Sequence, residues 1–277
     1  MAIPGFLLLF LFHTFPVIRG AFYSFTNWKG YGSYDFVGLK NYIELFNDSR
    51  VMDSYIFTFK FAVISTILVN AFSLVLAVGL NAKIKFKNTL RAVYFTPHIL
   101  SILIVGFIFK HIFTYVLPEI GQTLGIEILA KNILGYPDLA WIGIVVLAVW
   151  QSSGFHIILY LAGLQTIPQQ LYEAADIDGA NNWQKFWRVT FPLLAPFFTV
   201  NLVVAMRNFM MVFDHIVALT NGGPGRATES ISLLIYRGGF EGGEFGYQTA
   251  NSIIYFIFIL IIAVIQVKFL QRREVQL

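Results

Sequence analysis

The sequence predicts an all-α integral membrane protein with six transmembrane helices. Three observations carry that reading. The 277 residues are 57% hydrophobic and 12% charged, with a mean hydropathy of +0.69, where an ordinary soluble domain is about 25% charged and 45–50% apolar. The apolar residues fall in long runs, several of them reaching the ~20 residues that a bilayer-spanning helix needs. The formal charge of +4 comes from lysines and arginines that cluster beside those runs, as membrane topology requires, and not on a surface suited to nucleic acid. The absence of cysteine excludes disulfides and thiolate metal sites.

Span one is expected over Ala2–Ser24. It lacks the basic start and small-residue cleavage site of a signal peptide and is expected to be retained; neighbouring helices can tolerate its Pro4 and Pro16. Residues Phe25–Asp53 are polar and aromatic and read as a short ordered external loop. Span two, Tyr55–Asn81, is followed by Lys83, Lys85, Lys87 and Arg91, a density that marks a cytoplasmic loop. Span three is expected over Ala92–Phe113, with Pro97 and His98 near its inner end, and the more acidic Thr114–Asp138 is expected outside. Span four, Leu139–Leu164, returns to the cytoplasm, and span five runs over Phe191–Phe213. Asp214–Tyr247 is rich in glycine, including Asn221-Gly222-Gly223-Pro224-Gly225, and reads as turns with little regular structure. Span six, Gln248–Leu270, ends at Gln271-Arg272-Arg273. Together with Lys185, Arg188 and Lys268, these basic residues place both termini inside.

Between spans four and five lies a long patterned stretch that is plainly not membrane-embedded, Tyr172–Pro196. Glu173, Ala174, Ala175, Asp176 and Ile177 favour a short helix. Gly179 offers a flexible break. Asn181 or Asn182 can cap a second short helix, whose Trp183, Phe186 and Trp187 share one face by their spacing. Pro192 and Pro196 then mark where span five begins or kinks.

The order Glu173-Ala174-Ala175, Gly179 and Pro192 resembles the "EAA" loop of ABC importer permeases. Leu161-Ala162-Gly163-Leu164-Gln165 with Ile167-Pro168, Phe36-Val37-Gly38-Leu39 with Asn41-Tyr42, and Thr220-Asn221-Gly222-Gly223-Pro224 with Thr228 resemble segments of the sugar-permease, maltose-transporter branch. The resemblance covers nearly the whole chain and departs from the family pattern in having no basic tail before span one. It implies a type I ABC importer permease fold, with residues 1–277 forming one transmembrane permease domain. Residues 165–190 would be the cytoplasmic coupling loop, in which Glu173, Ala174, Ala175, Asp178, Gly179, Trp183, Phe186 and Trp187 meet an ATPase. The implied setting is a prokaryotic cell membrane. The implied partners are a homologous second permease, an ATPase dimer carrying ATP and Mg, and an extracytoplasmic sugar-binding protein. No cofactor is expected in this chain.

The residues themselves offer no catalytic constellation. The five histidines have no metal-ligand spacing. No G-x-S-x-G elbow is present, and the glycine-rich segment lacks the Lys-Ser/Thr of a phosphate-binding loop. Energy must therefore come from another subunit. Polar side chains within spans are expensive unless they face protein or water, and they nominate a substrate pathway: Gln151, His156 and Tyr160 in span four, Asn201, Arg207 and Asn208 in span five, Asn251 and Tyr255 in span six. Interhelical hydrogen bonding is the competing role. Amides and aromatics suit a neutral, hydroxylated sugar. Arg207 keeps glycerol phosphate or an amino acid open as cargo. An ion-gradient-driven transporter is the remaining alternative, but it leaves the patterned loop unexplained, and spans two to six lack a buried acidic relay.

Overall fold

The computed structural model describes residues 2–82 and 84–271; of the basic residues used to orient the chain, Lys83, Arg272 and Arg273 lie outside the described residues. Among the described residues there is no strand, only an isolated antiparallel bridge between Thr26 and Phe36. Among the same residues, six helices are long and apolar enough to cross a membrane, as the sequence predicts.

The first span is built from α1 (Ala2–Leu9) and α2 (Phe15–Tyr23), joined by a π turn at Phe10–Thr14. Next come α3 (Lys40–Asn47) and the 33-residue α4 (Ser49–Asn81), which forms the second span. After α5 (Lys87–Ile99), the third span consists of α6 (Ile102–His111), a π turn at Ile112–Val116 and α7 (Leu117–Leu124). The fourth span is α8 (Pro137–Thr166). A short α9 (Gln169–Ile177) leads to α10 (Asn182–Lys185), a π turn at Phe186–Thr190 and α11 (Phe191–Met210), which make the fifth span. Then α12 (Asp214–Leu219), α13 (Ile231–Tyr236) and a π turn at Arg237–Glu241 precede α14 (Phe245–Gln271), the sixth span.

Three of the π turns share a cause. Each ends just before a proline: Pro16, Pro118 and Pro192. Proline lacks an N–H, and its ring clashes with the carbonyl four residues back, at a cost of ~3 kcal/mol in a regular helix. That carbonyl belongs here to Phe12, Thr114 or Arg188, each inside the π turn, where the wider i→i+5 winding moves it aside. The helices therefore pass through these prolines by local overwidening.

Several expected boundaries are corrected. Span two begins at Ser49 and not at Tyr55. Span three is not continuous over Ala92–Phe113: Pro97 sits in the last turn of α5, Leu100 and Ser101 are extended, and the membrane-crossing part starts at Ile102. Span five does not begin at Phe191, because the aromatic helix capped by Asn181 runs into it as one helix from Asn182. Asp214–Tyr247 is not mostly turns, since α12 and α13 lie within it and bury Ile216, Leu219, Ile231 and Leu234.

By packing, the described residues divide into those up to Thr58 with Glu229–Ile261, and those of Phe59–Thr228 with those from Ile262 onward. The first unit has a core of Leu45, Val51, Leu234 and Ala250. It also contains a carboxylate, Glu229, that is only 2% exposed and is held by Arg50 through two hydrogen bonds of 2.8 and 2.9 Å, with Arg237 at 3.5 Å. The second unit packs around Ala77, Leu80, Ile157, Tyr160, Leu161, Leu164 and Leu194.

Candidate functional site

Two features stand out in the second unit: the loop between α8 and α11, and a cavity lined by both ends of two broken helices.

The loop folds as the residues dictate. Its first helix, α9, ends in a Schellman arrangement, with Ala180 N–H donating to Ala175 O at 2.9 Å and Gly179 N–H to Asp176 O at 3.1 Å. Such an end needs a left-handed residue, and Gly179 has φ +72. A Cβ added there would meet nothing within 4 Å, so the demand for glycine is one of backbone conformation alone. Asn181 and Gln184 form a reciprocal capping box that starts α10. Two side-chain contacts hold the helices together across the bend: an ion pair from Lys185 to Asp176 and a 3.0 Å hydrogen bond between the Tyr172 and Thr190 hydroxyls. Glu173 is exposed and accepts from Gln169 Nε2 at 3.0 Å. Ala174 and Asp178 are also exposed, while Ala175 is partly covered. Trp183, Phe186 and Trp187 form a ring ladder with Phe191, with centroids 5.1–6.1 Å apart. Trp183 remains 70% exposed, and Ile177, named from sequence only as part of the first helix, is 88% exposed.

The cavity has a volume of about 340 Å3. One side is the break between α5 and α6, contributing His98 and Ile102; another is the break between α11 and α12, contributing Met211–Phe213; Gln151 and Ser152 on α8 complete it together with Arg207, Asn208, Asp214 and His215. Backbone groups that a helix break frees must find other hydrogen-bond partners where they are buried. Here Gln151 Nε2 donates to the freed carbonyl of Leu100 at 3.0 Å. Gln151 Oε1 and His215 Nε2 are buried without a hydrogen-bond partner. Close packing of α12 on α6 fixes this wall, for a Cβ on Gly106 would stand 2.3 Å from that of Ala218. The formal charges are balanced, with one arginine and one aspartate. Burial pushes the His215 pKa down to about 4, against a smaller opposing pull from Asp214, and so keeps its ring neutral at pH 7.

The other nominated polar residues lie elsewhere. His156 and Asn201 are buried and bonded to each other: the Asn201 amide oxygen, which can only accept, is 2.6 Å from His156 Nδ1, so the imidazole donates. Tyr160 donates to Asn70 Oδ1 at 2.6 Å. In the first unit, Asn251 accepts from Tyr55 Oη at 3.2 Å and donates to Gln248 at 3.3 Å, and Tyr255 sets its ring edge against Tyr55 at 5.7 Å. Asn201 and Asn208, two turns apart on one predicted face, thus differ: Asn201 is fully buried and Asn208 is exposed at the cavity. Sequence reasoning missed the roles of Asn70, Tyr55, His98 and His215. Asn70 and Tyr55 bond Tyr160 and Asn251 far along the chain, and His98 and His215 meet at one cavity from distant segments, so no local spacing could have paired them.

Relatives support a common architecture. The chain is 41% identical over 266 residues to the multiple sugar-binding transport system permease protein MsmF of Streptococcus mutans, covering 96% of this chain and 92% of that one. It is 39% identical over 274 residues to a probable starch degradation products transport system permease protein, AmyD, of Thermoanaerobacterium thermosulfurigenes, covering 99% and 94%. A crystal structure of a bacterial ABC transporter involved in the import of the acidic polysaccharide alginate superposes with a TM-score of 0.87 at 24% identity, covering 98% of this chain and 94% of that one. That likeness shows the six-span ABC permease fold. Residues 70–275 match the family described as binding-protein-dependent transport system inner membrane component, and the chain belongs to that family.

Proposed function

We propose that the chain is one permease subunit of an ATP-driven importer of a neutral sugar or oligosaccharide, working by alternating access. The observation that carries the cargo class is the charge balance of the cavity: Arg207 is offset by Asp214, and the remaining polar groups are the neutral donors and acceptors of Gln151, Ser152, Asn208 and His215. A phosphate or carboxylate cargo would call for an excess of positive charge. The names of MsmF and AmyD, a multiple sugar-binding and a starch degradation products permease, point to a sugar. In this reading Gln151, Arg207 and Asn208 meet cargo, while His156, Tyr160, Asn201, Asn251 and Tyr255 hold the helices that shape its path.

The loop over residues 165–190 would dock on an ATPase dimer, which supplies the ATP and Mg chemistry that this chain's residues do not. Glu173 and Asp178 would face basic residues there, with Ala174 and Ala175 keeping the approach close. Gly179 would set the bend. Trp183, Phe186 and Trp187 would carry motion directly into span five, because they lie on the same unbroken helix. A homologous second permease would complete the channel. An external binding protein would deliver the sugar, with both termini of this chain in the cytoplasm.

The test is thermal unfolding of the purified transporter with its co-purifying subunits. A cargo at a hundred times its Kd stabilises by about 2.7 kcal/mol, so the melting midpoint should rise with a neutral oligosaccharide, and Asn208→Leu should remove the rise. A rise with glycerol phosphate or an amino acid and none with sugars would overturn the cargo class. Purification without an ATPase would overturn the coupling role.

A further inference from the structure

The Phe36-Val37-Gly38-Leu39-Lys40-Asn41-Tyr42 motif lies between spans one and two and has no part in the cavity or the coupling loop. Its residues fasten α3 to the end of span one. Val37 N–H donates to Phe25 O at 2.8 Å, and Asn41 Nδ2 donates to both Ser24 O and Thr26 O, at 2.8 and 2.9 Å. The Tyr42 and Ser24 hydroxyls are 2.7 Å apart. At the other end, Asp48 caps α4 by accepting from Arg50 N–H at 2.9 Å, and it also accepts from Tyr247 Oη at 2.9 Å. The corner between α3 and α4 is therefore fixed, and α3 is held at both ends.

Helical geometry divides α3 into three faces. Asn41 and Leu45 are buried against the protein. Lys40 and Glu44 lie together on a second face, 3.7 Å apart. The third carries Leu39, Ile43 and Phe46, exposed at 62%, 62% and 68%, and Phe36 precedes them at 71%. A contiguous apolar stripe of this kind on a rigid element marks a surface that something covers. Its position says what. Span one ends at Tyr23 and span two begins at Ser49, so the segment enters and leaves the bilayer at one membrane surface. Phe46 stands less than one helical turn before Ser49. A helix with an apolar stripe beside a charged one, tied to that surface, has the character of an interfacial helix.

We propose that α3 lies in the membrane–water interface, at the surface where span one ends and span two begins, with Phe36, Leu39, Ile43 and Phe46 among the lipid acyl chains and Lys40 and Glu44 at headgroup level. It acts as a strut that fixes the depth of spans one and two through the Asn41 and Asp48 contacts. This holds whichever cargo is carried.

The chain contains no cysteine, so each single variant gives one labelling site in this chain, and the assembled transporter with the unsubstituted chain supplies the background signal. Spin labels at Ile43→Cys, Phe46→Cys and Glu44→Cys are compared in membranes carrying the assembled transporter, using collision with oxygen, which concentrates in lipid, and with a water-soluble nickel chelate. Positions 43 and 46 should be relaxed by oxygen and little by nickel, and position 44 should show the reverse. Nickel access at 43 and 46 equal to that at 44 would place the stripe in water. Shielding of 43 and 46 from both reagents would place it against a protein partner. Either result overturns the proposal.

Discussion

In the loop Gln165–Thr190 the apolar side chains of Ile177 and Trp183 stand in the open, whereas in Asp214–Tyr247 even the polar Thr228, Glu229 and Ser230 are buried. In sequence the first reads as two short helices about a glycine break and the second as turns. The first is stiffened by its own backbone, through a Schellman end and a capping box, and leaves its large side chains uncommitted. The second spends its side chains internally: the Thr228 hydroxyl bonds Thr220 at 2.8 Å and Gly223 O at 2.7 Å, and Glu229 takes up Arg50. The segment proposed to meet a partner keeps a rigid backbone and free surface; the segment that packs internally does the opposite.

Removing the buried ion pair should break that contrast most severely. Arg50→Ala removes the guanidinium that holds the buried Glu229 by two hydrogen bonds, and breaking such a pair costs roughly 3–5 kcal/mol. Thermal unfolding of the purified chain should show a large drop in midpoint. An unchanged midpoint would mean that the segment does not stabilise the subunit.

Acid should act next, through His215. Its folded pKa of about 4 lies below the unfolded value of 6.5, so the unfolded chain takes up the proton first. Stability is intact above about pH 6.5, falls as pH drops, and reaches its full loss below about pH 4, on the order of 3 kcal/mol. His215→Gln should flatten the unfolding midpoint between pH 6.5 and 4. An identical pH profile in this variant would show that the histidine is not buried neutral.

The smallest stability effect, with the largest functional one, is expected in the exposed loop. Gly179→Val costs roughly 1–2 kcal/mol in backbone strain, with no clash, and should uncouple ATP hydrolysis from cargo. Gly179→Asn, which tolerates positive φ, should retain more coupling, and Glu173→Ala should weaken ATPase retention by no more than ~0.2–1 kcal/mol. Normal cargo-stimulated hydrolysis in Gly179→Val would remove the bend from the coupling role.

Much of this could be read from residue order. The six spans follow from the lengths of the apolar runs, because the bilayer sets a length that composition must meet. The bend at Gly179 and the cap at Asn181 follow from local backbone chemistry, which acts over a few residues. What sequence order left undetermined were contacts between distant residues. Pro192 looked like a boundary, yet a π turn carries the helix through it. Asn201 and Asn208 looked equivalent, yet packing buries one against His156 and leaves the other at the cavity. Arg50 and Glu229 gave no joint signal at all. Hydrophobic periodicity and capping are properties of neighbours along the chain, and so the sequence determined them. The choice between a polar side chain that joins two helices and one that faces a cavity depends on which helix packs opposite, and only the tertiary structure decided it.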